Sequence, residues 1–302
     1  MGERLNTLMI MTVMLGGSFL TIYHAFNLVR PEGLWRWFIK KKKKSPLKEK
    51  LLRGPGETLR MEEFNTALLL VLQAFLFIFF AYIIGYLFIN LQEKGVIPVW
   101  HISLIGAYIC LFIFFMWKLP KYARSLASTR LGLDGEIATA QELNQLMHNK
   151  YFVYHDFPAA DNFNIDHIVI GPTGVYAVET KTRSKSIKKG VDSYKVSFDG
   201  RYLNFPGHKN EEFIIQAKNQ AKWLADFLLK SVGKSIKVTP VLAIPGWMVD
   251  RHSQDASVLV VNPKECIKII PGRPFVLDEQ TIQQVKYQVE ERCRTLNLFE
   301  PI

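Results

Sequence analysis

Three stretches of this chain, residues 5–29, 66–91 and 97–117, run for more than twenty residues without one Asp, Glu, Lys or Arg. A helix needs about 20 apolar residues to cross about 30 Å of hydrocarbon. A helix on the surface of a soluble domain keeps a polar face, so it seldom stays uncharged for so long. The three stretches therefore read as membrane spans, and they account for a positive mean hydropathy of +0.07. The first is longer than the apolar core of a secretory signal. Basic residues follow it rather than precede it, and no small-x-small cleavage site comes after it, so it reads as a retained anchor.

Charge in the connections sets an orientation. Residues 30–65 hold eleven Lys or Arg against five Glu, including the run from Lys40 to Lys44. Residues 92–96 carry only Glu93 and Lys94, whereas Lys118, Lys121, Arg124 and Arg130 follow the third stretch. Cytoplasmic flanks are enriched in Lys and Arg, which places the first loop and residues 118–302 in the cytoplasm and the N-terminus outside. Trp35, Trp37 and Phe38 suit headgroup depth, with the lysine run over anionic lipid headgroups of the bilayer. Residues 118–302 hold 25 basic and 20 acidic residues, so the formal net charge of +11 lies mostly in the membrane part and is no sign of nucleic-acid binding by itself. Cys110, Cys266 and Cys293 form no CxxC pair and no dense framework, so they suggest neither a disulfide scaffold nor a thiolate zinc site. The expected organisation is a transmembrane anchor, 1–117, followed by a cytoplasmic domain, 118–302.

Within that domain, residues 135–148 place Ile137, Ala140, Leu143 and Leu146 on one helical stripe. Residues 151–157, 165–170 and 175–180 read as strands, the last two separated by Gly171-Pro172-Thr173-Gly174. Residues 194–205 read as a hairpin about Asp199-Gly200, 213–229 as an amphipathic helix, 237–244 and 257–261 as strands, and 278–293 as a final helix. A hairpin meander followed by strands reached across a helix predicts a membrane-anchored α/β fold, with a mixed β-sheet flanked by helices.

The central hairpin carries charge at its open end. Counted from the turn, Gly171 mirrors Gly174, Ile168 mirrors Ala177 and Asp166 mirrors Glu179. Mirrored residues of a two-residue hairpin share a face about 5 Å apart, and Lys181, two residues beyond Glu179, points the same way. Pro172 cannot take the positive φ of a type I′ turn. A type I turn with a left-handed Gly174 would add a bulge and set Thr180 opposite Asp166, so the sequence leaves both registers open. Paired carboxylate oxygens suit Mg²⁺ or Mn²⁺, an ion that activates water against a phosphoryl centre. Lys181 would orient that water or offset the developing negative charge. In a regular strand His167 points to the face opposite Asp166 and is read as structural. The basic residues Arg183, Lys185, Lys188 and Lys189, with Lys195, Arg201 and Lys209, are candidates for phosphate contacts.

Asp, twelve residues, then Glu-x-Lys on a hairpin resembles the PD-(D/E)XK signature of restriction-endonuclease-like enzymes. The flanking text, LDGEIATAQEL, NIDHIVIGPTGVYAVETK and IIQAKNQAKWLADFL, is similar to the nuclease-related domain family, NERD, over about residues 130–231. The resemblance implies a site of Glu136, Asp166, Glu179, Lys181 and Gln216. Asp166 and Glu179 would be metal ligands, with the backbone carbonyl of Thr180 as a third. Glu136 would reach the metal or its waters, Lys181 would hold the nucleophilic water, and Gln216 would steady Lys181, the water or a phosphate. Where the family often has Asn-Pro before its glutamine, this chain has HKNEEFIIQ. Residues 232–302 carry no motif of the family. The expected activity is Mg²⁺- or Mn²⁺-dependent phosphodiester hydrolysis, with nucleic acid, DNA above all, as partner, at the inner face of a prokaryotic plasma membrane. A non-catalytic nucleic-acid-binding or interaction module is the alternative.

Overall fold

The computed structural model describes residues 50–93, 95, 99–160, 163–185, 194–251 and 257–296. In chain order the elements are β1 (Leu51–Leu52), α1 (Glu57–Glu93), α2 (Val99–Asn144), a 3-10 turn (Gln145–Asn149), β2 (Phe152–Ala160), β3 (Phe163–Gly171) and β4 (Gly174–Thr180). They continue with β5 (Lys195–Phe198), β6 (Leu203–Phe205), β7 (His208–Asn210), α3 (Glu212–Val232), β8 (Val238–Ala243), β9 (Met248–Arg251), β10 (Leu259–Val261), α4 (Pro263–Ile269), α5 (Glu279–Cys293) and β11 (Arg294–Leu296). The chain divides into two compact units.

The first unit comprises, among the described residues, 61–129. It is the apolar length of α1 and α2, two helices long and apolar enough to cross a membrane, with almost none of their most apolar windows buried. Phe77 packs against Tyr108, Phe112 and Phe115, while Leu69, Phe75, Phe79, Ile102 and Ile113 face outward. Such helices satisfy their backbone groups internally, so lipid is a tolerable solvent for them. The sequence reading has three spans. Two correspond to these helices, and the first, at 5–29, lies outside the described residues, as does the lysine run from Lys40 to Lys44.

The helix α2 does not stop at residue 117. It continues through Pro120 to Asn144, so the expected helix at 135–148 is the end of a longer one. Proline removes one helical hydrogen bond, but the Ala-, Arg- and Leu-rich residues beyond it keep helical propensity.

The second unit gathers residues 50–60 and 130–296 of the described chain. Its main sheet has five strands in the order β10-β8-β4-β3-β2. The strands β2, β3 and β4 form an antiparallel meander, whereas β4, β8 and β10 are parallel, with α3 in the connection from β4 to β8 and β9 in that from β8 to β10. A mixed sheet with flanking helices is the result. One face buries Ile168, Ile170, Val175 and Ala177 against Leu224 and Leu228 of α3 and Ile282, Val285 and Val289 of α5. The other buries Val169, Tyr176 and Val178 against Leu143, Leu146, Cys266 and Ile270. Truncating one such core leucine to Ala costs about 2–5 kcal/mol. A smaller sheet, order β7-β6-β5-β9, closes over Ile214 and Ala217 of α3 with Phe198, Leu203, Phe205 and Trp247. Sequence patterning did not anticipate it as a separate layer.

Local signals fix the helix ends. Asn262 caps α4 ahead of Pro263, and Asp278 caps α5 by accepting the Thr281 amide. Gly233, at φ +75°, ends α3 by returning its N–H to Leu229.

Candidate active site

The register of the β3–β4 hairpin decides which side chains meet. Gly171 pairs with Gly174, Ile168 with Ala177 and His167 with Val178, with no shift along the ladder. The two-residue count therefore holds, and the bulged alternative does not form. Continued by one step, it sets Asp166 opposite Glu179 on one face, with His167 and Thr180 on the other. Beyond the ladder, the Asp166 carboxylate accepts the Thr180 amide N–H at 2.7 Å.

Glu179 is 2% exposed, and both its oxygens are occupied. Lys181 Nζ lies 2.6 Å from Oε1, and Gln220 Nε2 donates to Oε2 at 2.5 Å. Lys181 also sits 5.4 Å from the centre of the Phe213 ring, and its amide donates to Ala243 on β8 at 2.9 Å. Its ammonium is thus held between an acid and an aromatic face.

Glu136 enters from α2. Its neighbour Gly135 packs so tightly that a Cβ there would lie 1.6 Å from Thr182 Oγ1 and 2.8 Å from Thr182 Cβ. Only glycine lets the helix approach the chain just past Lys181. The Glu136 carboxyl is pushed up to about 7, first by burial and then by the charges of Asp156 and Glu179, with Lys181 and the Gly56 amide opposing. Asp166 is held well above the ordinary carboxylate range, first by burial and then by Glu179 and Glu136; the Thr180 N–H and Lys181 oppose. Glu136, Asp166 and Glu179 thus act on one another beside one lysine, and Glu136 and Asp166 hold their protons more tightly than free carboxyls do. Among the described residues, no group of three or more His, Cys, Asp or Glu is spaced to hold a metal ion unaided.

Gln216 is half-buried on α3, whereas the amide that meets Glu179 belongs to Gln220, one turn later on the same face. Gln220 also donates to the Asn164 carbonyl at 3.2 Å, and its Oε1 is buried without a hydrogen-bond partner. The spacing of four from Gln216 is the signal that could have found it. Asp156 gave none. It sits in the middle of β2 at φ +48°, a left-handed conformation that Asp tolerates better than most residues. Its carboxylate is buried and accepts from Arg53, Thr58 and Asn164.

Beneath the hairpin runs a buried histidine pair. His155 Nδ1 meets His167 Nδ1 at 2.9 Å, His155 Nε2 meets Asn144 Oδ1 at 3.1 Å, and His167 Nε2 meets Thr180 Oγ1 at 3.2 Å. Because Asn144 Oδ1 only accepts, His155 carries its proton on Nε2, His167 on Nδ1, and the Thr180 hydroxyl donates. Burial keeps both rings neutral, with His155 lowered to about 4 and His167 well below its usual value. His167 is structural, as its place in the strand implied.

Residues 131–245 match the nuclease-related domain, NERD, and the chain carries that domain. The match runs from the end of α2 to just past β8, and leaves out residues 50–60 and the helices α4 and α5. No curated protein and no solved structure matches the chain.

Proposed function

We propose that the protein is a membrane-anchored, metal-dependent nuclease that hydrolyses phosphodiester bonds, with DNA as substrate and its acidic pocket as the active site. The observation that carries this reading is the closeness of Asp166 and Glu179: Asp166 accepts the amide of Thr180, the residue after Glu179, at 2.7 Å, and the Lys181 ammonium lies 2.6 Å from Glu179. The raised carboxyls of Glu136 and Asp166 support it, because opposed acids in a buried pocket favour a cation. The donor set fits Mg²⁺ or Mn²⁺: hard carboxylate oxygens from Asp166 and Glu179, with the Thr180 carbonyl as a third and Glu136 toward bound water. Such an ion, when bound, supplies charge that acidifies water and offsets charge on a phosphoryl oxygen.

The chain's own groups do the rest. Lys181 orients the attacking water and stabilises negative charge as it develops. Gln216, half-buried one turn before Gln220 on α3, would steady Lys181, the water or a phosphate. Arg183 over Phe205 at 5.0 Å and Lys185 over Trp247 at 5.7 Å continue the alternation begun by Lys181 over Phe213. Three cations at every second position, each seated on an aromatic ring, make a row for successive phosphates. Lys209 and Arg201 flank the Tyr202 ring on the smaller sheet. Lys188 and Lys189 lie outside the described residues. The apolar helices α1 and α2 would anchor this domain at the cytoplasmic face.

The test uses the full chain in detergent with DNA and with RNA, in Mg²⁺, Mn²⁺ or chelator. Cleavage that needs the ion and disappears in Glu179→Ala and Lys181→Ala is expected. Binding without cleavage under every condition would make the protein a nucleic-acid-binding module. No binding at all would leave an interaction scaffold.

A further inference from the structure

Residues 53–58 run into the first turn of the helix α1 and lie outside the nuclease-related match, yet they point three groups at Asp156 and Glu136. Arg53 Nε donates to Asp156 Oδ2 at 2.8 Å, and its Nη2 pairs with the same oxygen. The Thr58 amide and hydroxyl donate to that oxygen at 3.0 and 2.9 Å. The Gly56 amide donates to Glu136. Gly56 stands at φ +68°, where a Cβ would also come within 2.3 Å of Leu133 Cδ1. The segment therefore fits only with glycine at that point.

Asp156 is in effect the N-cap of α1, supplied from β2: its carboxylate takes up a first-turn amide that the helix leaves unpaired. The same carboxylate also holds Asn164 Nδ2, at 3.0 Å through Oδ1. The Asn164 carbonyl accepts from Gln220, and Gln220 donates to Glu179, which pairs with Lys181. One chain of hydrogen bonds runs from Arg53 through Asp156, Asn164 and Gln220 to Glu179. Residues more than a hundred positions apart in sequence meet in it.

We infer that the segment 53–58 is a working part of the pocket, and that Arg53 is a positioning residue that sets Glu179 through Asp156, Asn164 and Gln220. The inference rests on the nuclease reading for its activity readout. Thr58 and Gly56 share the task, the first on Asp156 and the second on Glu136. On this view the nuclease-related match is not self-sufficient, because its acids are oriented by a stretch that lies on the other side of the two apolar helices in sequence.

The experiment compares full-length wild type, Arg53→Gln, Arg53→Lys and Glu179→Ala in detergent. It measures kcat and KM on DNA, Mn²⁺ affinity by electron paramagnetic resonance, and melting temperature. The expected result for Arg53→Gln is a fall in kcat of about tenfold or more at unchanged KM, and Mn²⁺ affinity weakened several-fold. Melting should stay within a few degrees, and Arg53→Lys should recover part of the loss. Wild-type kcat and Mn²⁺ affinity in Arg53→Gln would overturn the inference and leave the nuclease reading intact. A loss that follows a collapse in melting temperature, unrescued by lysine, would also overturn it, making Arg53 an ordinary support of the fold. Wild type that neither cleaves nor binds Mn²⁺, like Glu179→Ala, would remove the nuclease reading and this inference with it.

Discussion

Asp166 accepts the backbone N–H of Thr180 at 2.7 Å, so the acid on β3 is tied to the residue just after the acid on β4. This bond holds the Asp166 carboxylate in a place its neighbours oppose, since Glu179 and Glu136 both disfavour its charge.

Replacing Asp166 with Asn should therefore separate stability from activity. Without divalent ion at pH 8, the melting temperature should rise, by about 2–4 °C for each kcal/mol of repulsion removed. Added Mg²⁺ or Mn²⁺ should raise the melting temperature of wild type and not of Asp166→Asn, while cleavage falls about a hundredfold or more. Calorimetry with and without the ion reads the first two effects. A variant that melts below wild type in chelator would contradict the repulsion.

The pocket was partly legible before any coordinates. Two glycines bracket the turn at 171–174, and β-branched residues flank it, so counting outward offered two registers, of which the unshifted one forms from Gly171–Gly174 to His167–Val178. Gln220 was hidden by its likeness to Gln216 one turn earlier; only burial distinguishes them. Strands of three or four residues, such as β7 and β9, carry too little alternation to be read, and β9 gains its place by pairing with the distant β5. Asp156 looks like any strand residue, because its φ and its partner Arg53, 103 positions away, leave no local trace.

Glu136 gives a pH dependence with a definite sign. Its folded pKa is raised from 4.5 to about 7, so the folded state binds its proton more tightly than the unfolded chain. Stability from this group is complete below pH 4.5 and is lost as pH rises through 7. The whole effect is on the order of 3 kcal/mol. In chelator, melting temperatures of wild type and Glu136→Gln, compared at pH 5 and pH 8, should show a drop in wild type that the variant lacks.

The histidine pair acts with the opposite sign. His155 is lowered to about 4 from 6.5 by burial, so the unfolded chain binds the proton more tightly. Its contribution is present above pH 6.5 and lost as pH falls through 4, again on the order of 3 kcal/mol. The windows of Glu136 and His155 overlap, so single variants must resolve them. His155→Leu should flatten the acid limb of the stability profile, at the cost of leaving Asn144 Oδ1 and His167 Nδ1 without this partner. An acid limb unchanged in the variant would show that other groups govern it.

Gly135 offers a steric test of how Glu136 is delivered. The added Cβ of Gly135→Ala meets Thr182 at both Oγ1 and Cβ, so the neighbour cannot yield by rotating one atom. Overpacking of this kind costs about 1–3 kcal/mol. The displaced helix end should move Glu136 and lower cleavage more than a surface substitution such as Lys222→Ala does. Restoring space with Thr182→Gly in the Gly135→Ala background should recover part of both stability and activity. Failure of the double variant to recover either would mean that Thr182 is not the obstruction.

The segment 50–60 and residues 130–296 fold as one unit, although residues 61–129 lie between them in sequence. If α1 and α2 cross a bilayer, the chain must leave and return on the same side, which places the connection near Gln92 on the other. Cysteines introduced one at a time into a background lacking the exposed Cys110 can report this in intact cells, since Cys266 and Cys293 are buried. Gln92→Cys should react with a membrane-impermeant maleimide from outside, and Lys222→Cys, on an exposed position of α3, only after the membrane is opened. Labelling of both positions from the same side would contradict a two-helix crossing and leave α1 and α2 lying along the membrane or against protein.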